Sequence, residues 1–152
     1  MLARVMPGRA KISEQANESY LADVALAANF SALLDAADRA DQALRAAEAA
    51  GAPPGEMYPL AIGLDTALTD ATRAAYAARR AEIGPRGYDE RRAGALYRRQ
   101  AMARPAVHAW TDEAERLLTM RESHRLTGIP AHPGTSLAVG APGSAVLPAT
   151  AR

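Results

Sequence analysis

Residues 13–50 read SEQANESYLADVALAANFSALLDAADRADQALRAAEAA and hold neither Gly nor Pro. Within them Leu26, Phe30, Leu33, Ala37, Ala40, Leu44 and Ala47 recur at alternating intervals of four and three, which places all seven on one helical face. Ser13 suits the N-cap, and Glu14 sits in the first turn, where a negative charge meets the positive end of the helix dipole. Gly51 supplies the stop, and Ala52-Pro53-Pro54-Gly55 makes the connection. One uninterrupted helix is expected over 13–50.

The same stepping continues beyond the connection. Leu60, Leu64, Ala67, Ala71, Ala74, Ala78 and Ala81 predict a second helix that starts near Pro59, since a proline at the first helical position forfeits no hydrogen bond. Gly84-Pro85-Arg86-Gly87 ends it. Asp89 is placed to cap a third helix whose stripe runs Leu96, Gln100, Ala103, Val107, Trp110, Ala114 and Leu117. Pro105 falls inside that stripe and predicts a kink or break near Arg104. Because the phase of the stripe survives across the proline, a kinked but continuous path is expected, with Gly128 and Pro130 as the stop.

Composition agrees with helices and limits what they enclose. The chain of 152 residues holds 38 Ala, whereas Leu, Ile, Val and Phe together number 25 and aromatics make up 5%. Alanine is the best helix former and is depleted in strands, so a sandwich or barrel is excluded. A core of methyl groups is thin, however, and thin cores often depend on association. The expected fold is all-α: an antiparallel three- to four-helix bundle, its third helix kinked at Pro105, with an extended Pro/Gly-rich C-terminal arm. Its parts are a basic N-terminal arm over 1–12, a helical domain over 13–128 and the arm over 129–152.

That arm holds four Pro and three Gly in 24 residues, and Arg152 is its only charge. It has no helix-forming pattern, yet Leu137, Val139, Val146 and Leu147 make it more apolar than a solvated tail. Arms of this kind bind through backbone contacts and a few apolar side chains. A neighbouring subunit is the expected dock.

Charge is patterned although the net value is only +1. Residues 12–50 carry seven acids against Arg39 and Arg45, while residues 79–104 carry eight Arg against three acids. Arg91, Arg92, Arg98 and Arg99, with Tyr88 and Tyr97 nearby, form the candidate partner-binding surface. It is read first as a helix face or subunit contact and, in the alternative, as a nucleic-acid or regulatory module. Arginine with aromatics is a nucleic-acid theme, but a pI near 8.2 falls short of the usual basic footprint. Of the 18 basic residues only Lys11 is Lys. This bias, with the alanine content, points to a GC-rich bacterium or its phage.

No chemistry announces itself. The chain has no Cys, which excludes disulfides and thiolate catalysis. Nucleophile-elbow, phosphate-loop and dinucleotide motifs are absent. His108, Asp112 and Glu115 have helical spacing for a metal, but Trp110 and Val107 beside His108 favour an ordinary buried or half-buried histidine. No Glu is followed three residues later by His, which removes the di-iron bundle. Phe30 and Trp110 are expected as core anchors. No catalytic, cofactor or metal site is expected, and no run reaches the ~18 apolar residues of a membrane span. The expected function is therefore structural: a non-enzymatic helical subunit of a larger oligomer, partnered by copies of itself and a second structural protein. The setting is cytoplasmic or a virion, not secreted and not on a membrane. Small helical proteins with ordered extensions are common in phage virions and head–tail connections, a fold-level analogy.

Overall fold

A computed structural model describes residues 11–130, which are all-helical, with no strand among them. Five helices, α1 (Glu14–Ala28), α2 (Phe30–Ala49), α3 (Pro54–Ile83), α4 (Arg92–Ala101) and α5 (Pro105–Ser123), pack together. A 3₁₀ turn over Pro85–Tyr88 leads into α4, and a π turn over His124–Gly128 closes α5. The C-terminal segment with Leu137, Val139, Val146 and Leu147 lies outside the described residues, as do residues 1–10.

The N-cap forms as its sequence dictates: Ser13 is extended and its hydroxyl accepts the Ala16 N–H at 3.2 Å. The single helix expected over 13–50 is nevertheless two, bent by 45° at Asn29. The cause is the asparagine. Its side-chain amide donates to the Ala25 carbonyl at 3.2 Å, the acceptor that its own backbone N–H would take in a regular helix. That N–H turns instead to the Leu26 carbonyl at 3.1 Å. The apolar face runs on across the bend, and all seven stripe residues from Leu26 to Ala47 are buried or half-buried.

α2 ends in a Schellman turn. The Gly51 N–H reaches the Glu48 carbonyl and the Ala52 N–H reaches the Ala47 carbonyl, both at 3.0 Å. Gly51 sits at φ +68°, where a side chain would be strained. α3 then starts at Pro54, earlier than the expected Pro59. The extended Pro53 offers its carbonyl to the N–H groups of Glu56 and Met57, at 2.9 and 3.1 Å. Pro59 falls inside the second turn and removes a single ladder bond.

The third helix departs furthest from expectation: α4 and α5 are separate helices, not one kinked at Pro105. Proline bars its predecessor from the α region, and Arg104 accordingly lies extended at φ −75°, ψ 135°. Pro105 thus becomes the first residue of α5. The phase resets at this break. Leu96, Gln100 and Ala103 are exposed, and α4 turns Gly94, Tyr97, Arg98 and Ala101 inward instead; Val107, Trp110, Ala114 and Leu117 keep their expected place.

The core is organised around α3, which packs against α1, α2 and α5. Six of its residues between Ala71 and Ala78 are buried, and five of those are alanines. Phe30 and Trp110, half-buried on the main cluster as expected, meet edge to face with ring centroids 5.0 Å apart. Among the described residues ten of the sixteen buried hydrophobic residues are Ala, and Leu117 and Val107 are the largest side chains buried completely. Among the described residues no single helix is long and apolar enough to cross a membrane.

With so few large anchors, single ones matter. Leu117→Ala is expected to lower unfolding free energy by about 2–5 kcal/mol. Leu126→Ala, at a side chain 84% exposed, is expected to change it by no more than about 0.5 kcal/mol. Urea denaturation of both variants checks the contrast.

Candidate functional site

The arginine-rich tract spans the end of α3, the 3₁₀ turn and α4, and most of its charge is engaged within the chain. Arg80 forks onto Asp23 of α1, with Nε and Nη2 donating at 2.6 and 2.8 Å. Tyr88 donates its hydroxyl to the same carboxylate at 2.6 Å and meets the Tyr20 ring edge to face. Tyr88 is therefore part of the seam that holds α1, not a free aromatic. Burial alone raises the Asp23 pKa, but the hydrogen bonds from Arg80 and Tyr88 outweigh it and leave the carboxyl below its ordinary value of 3.8. Burial and the same carboxylate push the Tyr88 hydroxyl well above its usual range.

Arg98 serves the backbone. Its Nη1 donates to the Gly87 and Asp89 carbonyls at 2.6 and 3.0 Å and ties the turn to α4. Gly94 allows the close approach, since a Cβ there would stand 2.0 Å from the Asp89 oxygen. Arg104 reaches the Glu82 and Ile83 carbonyls at 3.5 and 3.4 Å, and its Nη2 donates to the Tyr97 hydroxyl at 3.0 Å. Tyr97 also receives the Arg86 guanidinium over its ring, as Tyr76 receives that of Arg79.

Arg91 pairs with Asp89 at the mouth of α4, where its guanidinium holds the Asp89 carboxyl down to about 2. Asp89 thus acts two residues before the cap position it was expected to fill: the N-cap residue is Arg91, whose N–H donates to Asp89 Oδ1 at 2.9 Å. Of the eight arginines over 79–104, Arg92 and Arg99 alone are exposed without a hydrogen-bond, ion-pair or ring partner among the described residues. The structure therefore does not gather the four expected arginines into one open face. Arg91 is exposed but paired, Arg98 is half-buried, and Arg92 and Arg99 remain.

A second feature was not legible in the sequence. α2 and α5 both rest on α3 and leave a groove of about 310 Å³ between them. Its floor is Leu34, Ala37, Leu64, Leu68 and Leu117, and its rim carries Asp38, Asp41, Arg45 and Arg116. The rim cations are already matched: Arg45 pairs with Asp41 and Arg116 with Glu113, each at 2.7 Å. The pairs sit four and three residues apart, a spacing that sequence does reveal. That α2 and α5 would stand apart across α3 is a matter of tertiary packing.

Beyond these surfaces the residues offer little chemistry. His108 is exposed, not buried or half-buried beside Trp110 as expected, and Asp112 and Glu115 are exposed too. No group of three His, Asp or Glu side chains suited to a metal occurs among the described residues. His124 Nε2 lies 2.7 Å from the Ala61 carbonyl and joins the π turn to α3. Arg125 forks onto Asp65 of the same helix. No family model, curated protein or solved structure matches this chain.

The Asp23 seam has a pH signature. A carboxyl whose pKa falls on folding stabilises the fold above its ordinary pKa and loses that contribution as pH drops through the folded value. Asp23→Asn is expected to cost about 1–2 kcal/mol at neutral pH, a charged hydrogen-bond contribution discounted for the half-exposed Arg80. The deficit is expected to shrink as pH falls below 3.8, because protonation then removes the same charge from the parent. Urea titrations of both proteins across that range check it.

Proposed function

We propose that the protein is a non-enzymatic assembly component: a helical subunit of a larger oligomer, with its C-terminal arm docked on a neighbour. In this reading the body is an antiparallel bundle of three- to four-helix type, in which α2 returns into α3 through the short Gly51–Pro53 connection. One observation carries the proposal. Alanine fills most of the core, while Leu21, Val24, Ile62, Leu96, Met120 and Leu126 stay 38–84% exposed. Larger apolar groups thus lie outside than fill much of the inside, and association would bury them.

Charge supports the same picture. Glu14, Glu18, Asp35 and Glu48 are exposed on α1 and α2 without partners among the described residues, and Arg92 and Arg99 are exposed on α4. Contact between the acidic face of one copy and the basic face of the next would fix orientation head to tail, as in a ring or filament. The internal use of six of the eight tract arginines weighs against nucleic acid as the partner. A virion or head–tail connection remains the proposed setting, on the analogy of small helical proteins with extensions.

Light scattering after size exclusion tests the proposal, with the full chain and a version that ends at Pro130. The truncation keeps Ile129, which packs on the core. The expected result is a discrete oligomer for the full chain that dissociates on truncation. A 16.0 kDa monomer for the full chain would overturn self-assembly.

A further inference from the structure

We infer that the groove between α2 and α5 is the receptor for the arm, and that its occupant is the segment 137–147 of a second copy of this chain. The inference rests on the assembly proposal and names the contact through which it works.

The groove selects by charge. Its floor is apolar, and both rim arginines are paired within the chain, Arg45 with Asp41 and Arg116 with Glu113. Arg116 also donates to the Met120 sulfur at 3.1 Å, which keeps the guanidinium laid along α5. An acidic occupant would meet no free counter-cation there, a basic one would meet only Asp38 at the exposed rim, and either would lose hydration over the apolar floor. An uncharged apolar segment loses little and displaces about ten waters' worth of volume from the floor. Residues 126–151 are the longest stretch of the chain without Asp, Glu, Lys or Arg, and they include Leu137, Val139, Val146 and Leu147. The arm's own pattern of isolated apolar residues between Gly, Pro and Ala suits an extended ligand laid in a groove.

The geometry points to delivery from a neighbour. Thr119, Met120, Ser123 and His124 line the groove, whereas Arg121 and Arg125 are drawn to Asp65 on α3. The second row is rotated around α5 from the first, and Ile129 continues onto the core cluster. The chain thus runs past the C-terminal end of α5 before the arm begins. Its own arm would have to double back around the helix. A neighbour's arm enters directly from solvent, and the seven residue-to-residue steps from Pro130 to Leu137 span about 23 Å when extended.

The absence of native cysteine makes the test clean. Full-length chains carrying Met120→Cys are mixed with mass-tagged full-length chains carrying Leu137→Cys, allowed to exchange subunits, and oxidised mildly. Met120 is 42% exposed, so the substitution spares the core, and circular dichroism checks the helices. Gln100→Cys, exposed on α4 and outside the groove, replaces Met120→Cys in the control pair. The expected result is mixed disulfide dimers at about tenfold or greater excess over the control pair, the gain from a high effective concentration. Equal yields from the two pairs, with the oligomer intact by light scattering, would overturn the groove as receptor and leave assembly standing. Closure within single chains of a Met120→Cys/Leu137→Cys double variant, without dimers, would overturn delivery by a neighbour. A full chain that is monomeric throughout would overturn both this inference and the assembly proposal.

Discussion

Close approach to α3 is the constraint on which the remaining structure depends. Alanines from Ala71 to Ala78 let neighbouring backbones come near, and α1, α2 and α5 all use the same helix as their support. Small side chains permit that proximity but bury little apolar area each, at roughly 25 cal/mol per Å². The few large residues therefore carry an uneven share. Leu64, Leu68 and Leu117 belong to the main cluster and also floor the groove, so the body's own stability and its candidate receptor draw on one set of side chains.

Polar contacts then decide where the outer elements sit. α1 buries Ala16 alone and is seated by Asp23 between Arg80 and Tyr88. α4 is short, and its attachment runs through Arg98 on the carbonyls of the turn and Arg104 on those at the end of α3. Arginine suits this work because its planar fork donates several hydrogen bonds at once. What looks in the sequence like a basic patch awaiting a partner is largely a set of internal fasteners, with Arg92 and Arg99 left over.

Helical periodicity made much of the body readable. The stripes of α2 and α3 face inward as their spacing dictates, and Phe30 and Trp110 meet where both stripes converge on the core. The misreadings share one cause. At Asn29 the apolar face runs on across the break, and at Pro105 the apolar spacing runs on in the sequence while the packed face resets, because spacing records which residues are apolar and not which backbone bonds are made. At Asn29 a side-chain amide takes a backbone acceptor, and at Pro105 the proline constrains the residue before it. The groove lay further out of reach, since it depends on how far α2 and α5 stand apart on α3, a distance that no local spacing encodes. Charge density likewise identified the arginine tract, while its partners, 57 residues away in the case of Arg80 and Asp23, are set by tertiary structure.

The edge-to-face pair of Phe30 and Trp110 has an optical consequence. Trp110 is the sole tryptophan of the chain, and it touches α2 from α5 beside the shared core. The intrinsic emission of the protein therefore reports on one place, the junction where those two helices meet. Separation of α2 from α5 would remove the Phe30 ring and bring more water to the half-buried indole. The molecule carries its own local gauge of whether the two walls of the groove stay together.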